Sequence, residues 1–175
     1  MKLMFASDIH GSAYFAELLK ERFYEERADR LILLGDLLYH GPRNDLPREY
    51  NPKKVIEILN GIKDSLLCVR GNCDTEVDQM VLDFPILADY AVMYLDGKML
   101  YITHGHHYNP QTPPPIKSGD ILMNGHTHIS ADEIVKTDTI SFRYLNPGSV
   151  SIPKNGTGHS YMIYENESFV LKNLI

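Results

Sequence analysis

Leu3-Met4-Phe5-Ala6-Ser7-Asp8-Ile9-His10-Gly11-Ser12 decides the fold: an unbroken apolar run stops abruptly at residues able to bind a cation. A strand buried on both faces reads this way, without the apolar and polar alternation of a half-exposed strand. The same grammar recurs at Leu31-Ile32-Leu33-Leu34, ended by Gly35-Asp36, and at Leu66-Leu67-Cys68-Val69, ended by Gly71-Asn72-Cys73-Asp74. Between these runs lie helices. Ser12 is a good helix cap, and Tyr14, Phe15, Leu18, Leu19 and Phe23 follow at helical spacing. Asn51-Pro52 opens a second helix with Val55, Ile56, Leu59 and Ile62 on one face. Successive strand–loop–helix units predict a parallel sheet with helices packed on it, because parallel neighbours need long crossovers.

After about residue 90 the pattern changes to paired strands. Asp96-Gly97, between Val92–Leu95 and Met99–Ile102, is a two-residue hairpin signal. Ile121-Leu122-Met123 is a short buried strand running into Gly125-His126-Thr127-His128. Ile134-Val135, Ile140–Phe142, Tyr161–Tyr164 and Phe169–Leu171 complete a mainly antiparallel second half. The expected fold is α/β, two mixed sheets face to face with helices outside. Asn109 to Pro115 reads as a surface loop.

Length and composition bound the function. A chain of 175 residues with 43% hydrophobic content fills one core, so residues 1–175 read as one domain. A net charge of -6 without a Lys/Arg run argues against long nucleic acid as a partner. No apolar stretch has the length of a membrane span. The apolar start, Met1 to Ala6, reads as structure and not as a leader, since its removal would destroy the site described next. The two cysteines, Cys68 and Cys73, lack zinc or redox-motif spacing, which fits a reducing cytoplasm.

In open α/β sheets reactive groups collect outside the carboxyl ends of strands. Here Asp8 and His10, Asp36, Asn72, His104, and His126 with His128 all fall at such ends. Each group adjoins a glycine (Gly11, Gly35, Gly71, Gly105, Gly125), which lets the backbone turn sharply. One Asp-x-His or His-x-His is an ordinary turn; five strand ends with this chemistry are not. A donor set of carboxylate, imidazole and amide suits Mn²⁺, Fe or Zn²⁺ at a reactive site. Seven donors exceed the needs of one ion. An Asp between two sets can bridge two ions about 3.5–4 Å apart, the spacing used for in-line displacement at phosphorus.

Asp8-Ile9-His10, Gly35-Asp36, Gly71-Asn72-Cys73-Asp74, Thr103-His104-Gly105-His106 and Gly125-His126-Thr127-His128 together resemble the ordered motifs of the calcineurin-like metallophosphoesterases. His40–Asn44 and Asn146–Lys154 resemble a branch of small bacterial phosphodiesterases in that family. The resemblance implies a four-layer α/β/β/α sandwich. It also implies one ion on Asp8, His10, Asp36 and His128, a second on Asp36, Asn72, His104 and His126, and Mn²⁺ as the activating metal. The implied reaction is attack on a small phosphoester by a hydroxide bridging two ions, with Asn72 helping to orient the phosphate. A phosphomonoesterase or nucleotide hydrolase is the alternative among enzymes. Protein binding is the alternative outside them, since the same fold serves contacts in a retromer subunit. The resemblance further implies a capacity for self-association, although no residue pattern marks a symmetric interface.

One position departs from the family. Cys73 stands where a histidine usually protonates the leaving oxygen or grips the phosphate, and a thiol replaces an imidazolium poorly. Cys73 is therefore read either as a weak catalytic group or as a small filler. Arg43, in the loop after Asp36, is a candidate phosphate binder through its planar donor fork. His40, His106 and His107 read as loop residues near the motifs, and Asp74 as an orienter of its own loop.

Overall fold

The computed structural model describes residues 1–175. β1 (Leu3–Ala6) leads into α1 (Ala13–Glu26), and β2 (Arg30–Leu33) into α2 (Pro52–Asn60). Both helices start where the sequence places them. The Ser12 hydroxyl accepts from the Phe15 amide and the Asn51 side chain from the Lys54 amide, each satisfying a donor the first turn leaves free. β3 (Leu66–Cys68) closes the parallel trio β1-β2-β3. The third helix, α3 (Glu76–Gln79), is a single turn held by a capping box between Thr75 and Asp78, so the parallel pattern ends there.

β4 (Tyr90–Leu95) and β5 (Lys98–Thr103) form the hairpin, with Asp96 and Gly97 both at positive φ as its two-residue turn requires. β6 (Ile121–Met123), β7 (Ser130–Lys136) and β8 (Ser141–Pro147) complete a second sheet in the order β4-β5-β6-β8-β7. The last hairpin, β9 (Ser160–Glu165) and β10 (Ser168–Asn173), crosses back to the first sheet, whose order is β10-β9-β1-β2-β3. Both sheets are therefore mixed.

Alternation along each strand assigns the layers. Met4, Ala6, Leu31 and Leu33 pack under α1 and α2, against Phe15, Leu19, Val55 and Leu59. Leu3, Phe5, Ile32 and Leu34 point the other way and meet Leu100, Ile102, Ile121 and Met123 of the second sheet. Each such side chain removed from water contributes about 1.5–3 kcal/mol, so this shared layer is what locks the sheets face to face. The outer face of the second sheet is covered by loop in place of helix: Ile116, just after the Pro-rich segment, packs on Leu122, Phe142 and Tyr144. All α-helices precede residue 80, and the fourth layer of the sandwich is built without one.

Candidate functional site

The carboxyl ends of β1, β2, β3, β5 and β6 meet at one edge of the sandwich, and the loops leaving them cross-link. Asp8 N–H donates to Gly35 O, His10 N–H to Asp36 O and Gly125 N–H to His104 O. The structure brings all seven predicted donors together there. Asp8, His10, Asp36, His104 and His128 are buried, whereas Asn72 is exposed and His126 half-buried at the mouth.

Two overlapping groups emerge. In the first, Asp8 Oδ1 lies 3.5 Å from His10 Nε2 and 3.3 Å from His128 Nε2. In the second, His104 Nε2 lies 3.0 Å from Asn72 Oδ1 and 3.2 Å from His126 Nδ1. Asp36 Oδ2 stands between them, 3.6 Å from His10 Nε2 and 3.5 Å from His104 Nε2, the place from which one carboxylate reaches both.

Backbone carbonyls fix three rings. Tyr39 O lies 2.8 Å from His10 Nδ1, Leu34 O 2.6 Å from His104 Nδ1 and Ile152 O 2.8 Å from His128 Nδ1. A carbonyl only accepts, so each Nδ1 carries a proton and each ring turns its Nε2 inward, a lone pair for a cation once the ring is neutral. His10 Nε2 and His128 Nε2 are 3.2 Å apart, and Asp8 Oδ1 between them is a buried oxygen without a hydrogen-bond partner. Such a convergence of lone pairs and carboxylate oxygens is what a cation, or protons in its place, must stabilise. The titration behaviour agrees. Burial lowers the His104 pKa, but the hydrogen bond to Asp36 and the Asp8 charge outweigh it and push it up to about 9. Burial raises that of Asp8, yet the His10 and His128 rings facing its carboxylate bring it well below the usual carboxylate range. The residues fit a divalent metal ion: Asp8, His10 and His128 form one candidate ligand group and Asp8, Asp36 and His104 an overlapping one, with donors suited to a hard or borderline ion.

The backbone is bent for the purpose. Asp8, His10, Asp36, His126 and His128 have φ of 58°, 49°, 56°, 66° and 61°. That left-handed region is uncommon outside glycine, and Asp and His are among the side chains that tolerate it best. Gly71 and Gly125 allow the loops to touch: a Cβ on the first would collide with the Asp36 carboxylate, and on the second with the Ser7 hydroxyl.

Cys73 lies beside the donors, its Sγ within 4.8 Å of the nearest His10 and Asp36 atoms. Its N–H donates to Asp36 Oδ1 at 2.8 Å. Burial, with the Asp36 charge added, pushes its thiol up to about 12, so it sits there as a neutral thiol. Arg43 lines the cleft in front of the donors. His40 packs edge-on against Tyr39 and Tyr50, His106 lies tilted between His104 and His107, and His159 stacks on Phe15.

Asp74 does more than orient its own loop: it accepts from Asp36 N–H, Leu37 N–H and Gly71 N–H, tying the second and third loops together. Residues given no individual role in the sequence also enter the site. Ser149 and Ser151 hydroxyls donate to Asp8 O, and the Asn146 amide donates to Gly125 O. Their signal was the stretch Asn146–Lys154, whose polar Asn146, Ser149 and Ser151 are buried. Lys154 lines the same cleft as Arg43.

The chain belongs to the calcineurin-like phosphoesterase superfamily, whose domain model matches residues 1–168. Within it, the chain is 47% identical over 167 residues to phosphodiesterase YfcE of Escherichia coli, covering 95% of this chain and 89% of that protein. The solved structure of E. coli YfcE, a phosphoesterase, superposes with a TM-score of 0.94 at 46% identity, over 99% of this chain and 93% of the other. Phosphodiesterase MJ0936 of Methanocaldococcus jannaschii is 26% identical over 156 residues, 85% of this chain and 83% of that one. Zinc-bound Vps29 of Entamoeba histolytica, at 18% identity and a TM-score of 0.57 over 98% of this chain and 97% of its own, shares the fold.

Proposed function

We propose that the chain is a metal-dependent phosphodiesterase acting on small phosphoesters, and that residues 1–175 work as one domain. The observation that carries this is the convergence of imidazole nitrogens and carboxylate oxygens around Asp36, an arrangement that a bound cation stabilises. Asp8, His10, Asp36 and His128 hold one divalent ion, and Asp36, Asn72, His104 and His126 hold the other. Mn²⁺ is the ion this all-nitrogen-and-oxygen set takes for activity, with Zn²⁺ or Fe as substitutes. Bound there, the pair supplies an activated water nucleophile and neutralises charge on the phosphoryl oxygens.

The chain's own groups do the rest. Asp36 holds the two donor sets in register. Asn72, open to the cleft, lends its amide to the phosphoryl group as well as to the ion. Cys73 offers only a weak donor from a neutral thiol, so esters whose leaving groups depart unprotonated are preferred, aryl esters and diesters before alkyl monoesters. The net charge of -6 supports small substrates over long polyanions, and the two unpaired cysteines support a reducing, cytoplasmic setting.

The test is hydrolysis of bis-p-nitrophenyl phosphate and p-nitrophenyl phosphate by EDTA-stripped protein, with Mn²⁺, Zn²⁺, Mg²⁺ or nothing added back, beside Asp36→Asn. Metal-dependent release of p-nitrophenol, lost in the variant and faster for the diester, is the expected result. A faster monoester reverses the substrate class. Inactivity with every metal moves the assignment to a binding scaffold, a use to which a fold can be put without its chemistry.

A further inference from the structure

The cleft in front of the donor groups encloses about 430 Å³ and carries two cations on its walls, Arg43 and Lys154. They come from separate loops. Arg43 follows Gly41, which packs toward the Cys73 thiol. The backbone N–H of Lys154 donates to His128 O at 3.0 Å, so its place is tied to a proposed ligand. Both residues are exposed, and neither side chain meets a carboxylate, in a chain with 23 acidic residues for 17 Lys and Arg. Lys2, Lys54, Arg143 and Lys172 are each engaged with an acid, whereas Lys53, Lys98, Lys117 and Lys136, away from the cleft, are in no ion pair either. The wall near His104 differs: it is built from His106, His107, Tyr108 and Asp89, without Lys or Arg.

With no carboxylate paired to either side chain, Arg43 and Lys154 leave two positive charges open on the cleft wall; a phosphate monoester, with close to two negative charges near neutral pH, matches them in addition to a diester held at the donor groups.

Resting on the phosphodiesterase reading above, we propose that Arg43 and Lys154 form a subsite for a second phosphate on the substrate. The preferred class is a phosphodiester that also carries a terminal phosphate on the Lys154 side of the reacting phosphorus. Affinity for that group comes from the fork of Arg43 and the mobile ammonium of Lys154, acting together within one cleft.

The experiment compares two substrates with the same leaving group: thymidine 5′-(p-nitrophenyl phosphate) and its 3′-phosphorylated counterpart. The full chain is used with Mn²⁺, as wild type, Lys154→Ala, Lys154→Arg and Arg43→Ala, with bis-p-nitrophenyl phosphate as a control. In the wild type the 3′-phosphate raises kcat/KM roughly tenfold through KM, the size of a partly exposed charge-assisted contact. That ratio falls towards one in both alanine variants and is retained in Lys154→Arg. A wild-type ratio near one, or a ratio unchanged by both alanine substitutions, overturns the subsite while leaving hydrolysis of the control diester intact. Absence of Mn²⁺-dependent hydrolysis of all three substrates overturns the phosphodiesterase reading and the subsite with it.

Discussion

Asp74 is the place to test whether the site is held by its own loops. Its carboxylate is 2% exposed; Oδ2 accepts from Asp36 N–H at 2.8 Å and Gly71 N–H at 2.7 Å, and Oδ1 accepts from Leu37 N–H at 2.9 Å. Burial raises the pKa of this carboxyl, and the three donors pull against that. Asp74→Asn keeps the shape and one oxygen. If that oxygen faces Asp36 and Gly71, the new NH₂ faces the Leu37 N–H, donor against donor. One charge-assisted bond is lost, about 1.5–3 kcal/mol, and the other two weaken, so a total near 3 kcal/mol is expected. For a chain of this length that lowers Tm by about 6–12 °C. The loops it joins carry Asp36, Asn72 and Cys73, so Mn²⁺ affinity falls as well. Thermal unfolding of EDTA-stripped protein by circular dichroism, followed by calorimetric Mn²⁺ titration, measures both. A Tm within about 2 °C of wild type, with unchanged Mn²⁺ affinity, would refute the argument that Asp74 organises the site.

Other perturbations have equally definite outcomes. Loading stripped protein with Mn²⁺ at about a thousandfold excess over its Kd adds about 4 kcal/mol to stability, a rise of about 8–16 °C in Tm by scanning calorimetry; a flat response would contradict a metal site here. Glu26 tests pH dependence: burial raises its pKa, but Lys172, Lys2 and the Tyr161 hydroxyl bring it from 4.5 to about 2. Because the folded value is depressed, its contribution is present above about pH 4.5 and is lost as pH falls toward 2. Glu26→Gln should therefore cost about 1–2 kcal/mol near neutrality, after allowance for solvent around the ion pairs, and much less at pH 3. Urea midpoints that fall in parallel for both proteins from pH 6 to pH 3 would rule this out. Cys73→His places an imidazole in the cleft as proton donor and should raise turnover of alkyl phosphoesters about tenfold or more, within the range of general acid catalysis; unchanged or slower rates for these poor leaving groups argue against a missing acid.

Much of this architecture is written in local pattern. The runs at Leu3 and Leu31 read as buried strands because both faces of the first sheet are covered there, whereas the similar run at Leu66 is the edge strand and leaves Leu67 exposed; Ser12, Asn51 and Asp96-Gly97 mark their helices and turn by short-range chemistry. What could not be read is non-local. Nothing in Tyr161–Tyr164 says that it pairs with β1 in the first sheet and not with the second-half strands before it; that choice comes from packing Met162 and Tyr164 into the layer between the sheets. The turn at Asn166-Glu167, both at positive φ, lacks the glycine that would have announced it. The cover over the second sheet was missed for a similar reason: Ile116 beyond a Pro-rich loop carries no period from which packing can be inferred. The seven donors were legible because each needs only its own strand end. Ser149, Ser151 and Asn146 were not assigned roles, because they act on backbone atoms more than 20 residues distant, and hydroxyls that serve a carbonyl look like any loop serine.

The left-handed backbone at five of the seven donors explains why those residue types stand beside those glycines. Asp8 with His10, and His126 with His128, are two residues apart, a spacing that already shares one face along a strand, and positive φ at each of the four turns the chain sharply where the strand ends. The conformation costs on the order of 1 kcal/mol per residue. It persists because the loops hold one another, through Gly35 O, Asp36 O, Asp74 and the Ser149–Ser151 hydroxyls, in a geometry that also sets lone pair against lone pair. Two independent costs, backbone strain and unshared charge, therefore coincide at one edge of the sheets. A bound cation offsets the second directly, and it gives the first a use, since donors already aimed need no reordering when the ion arrives.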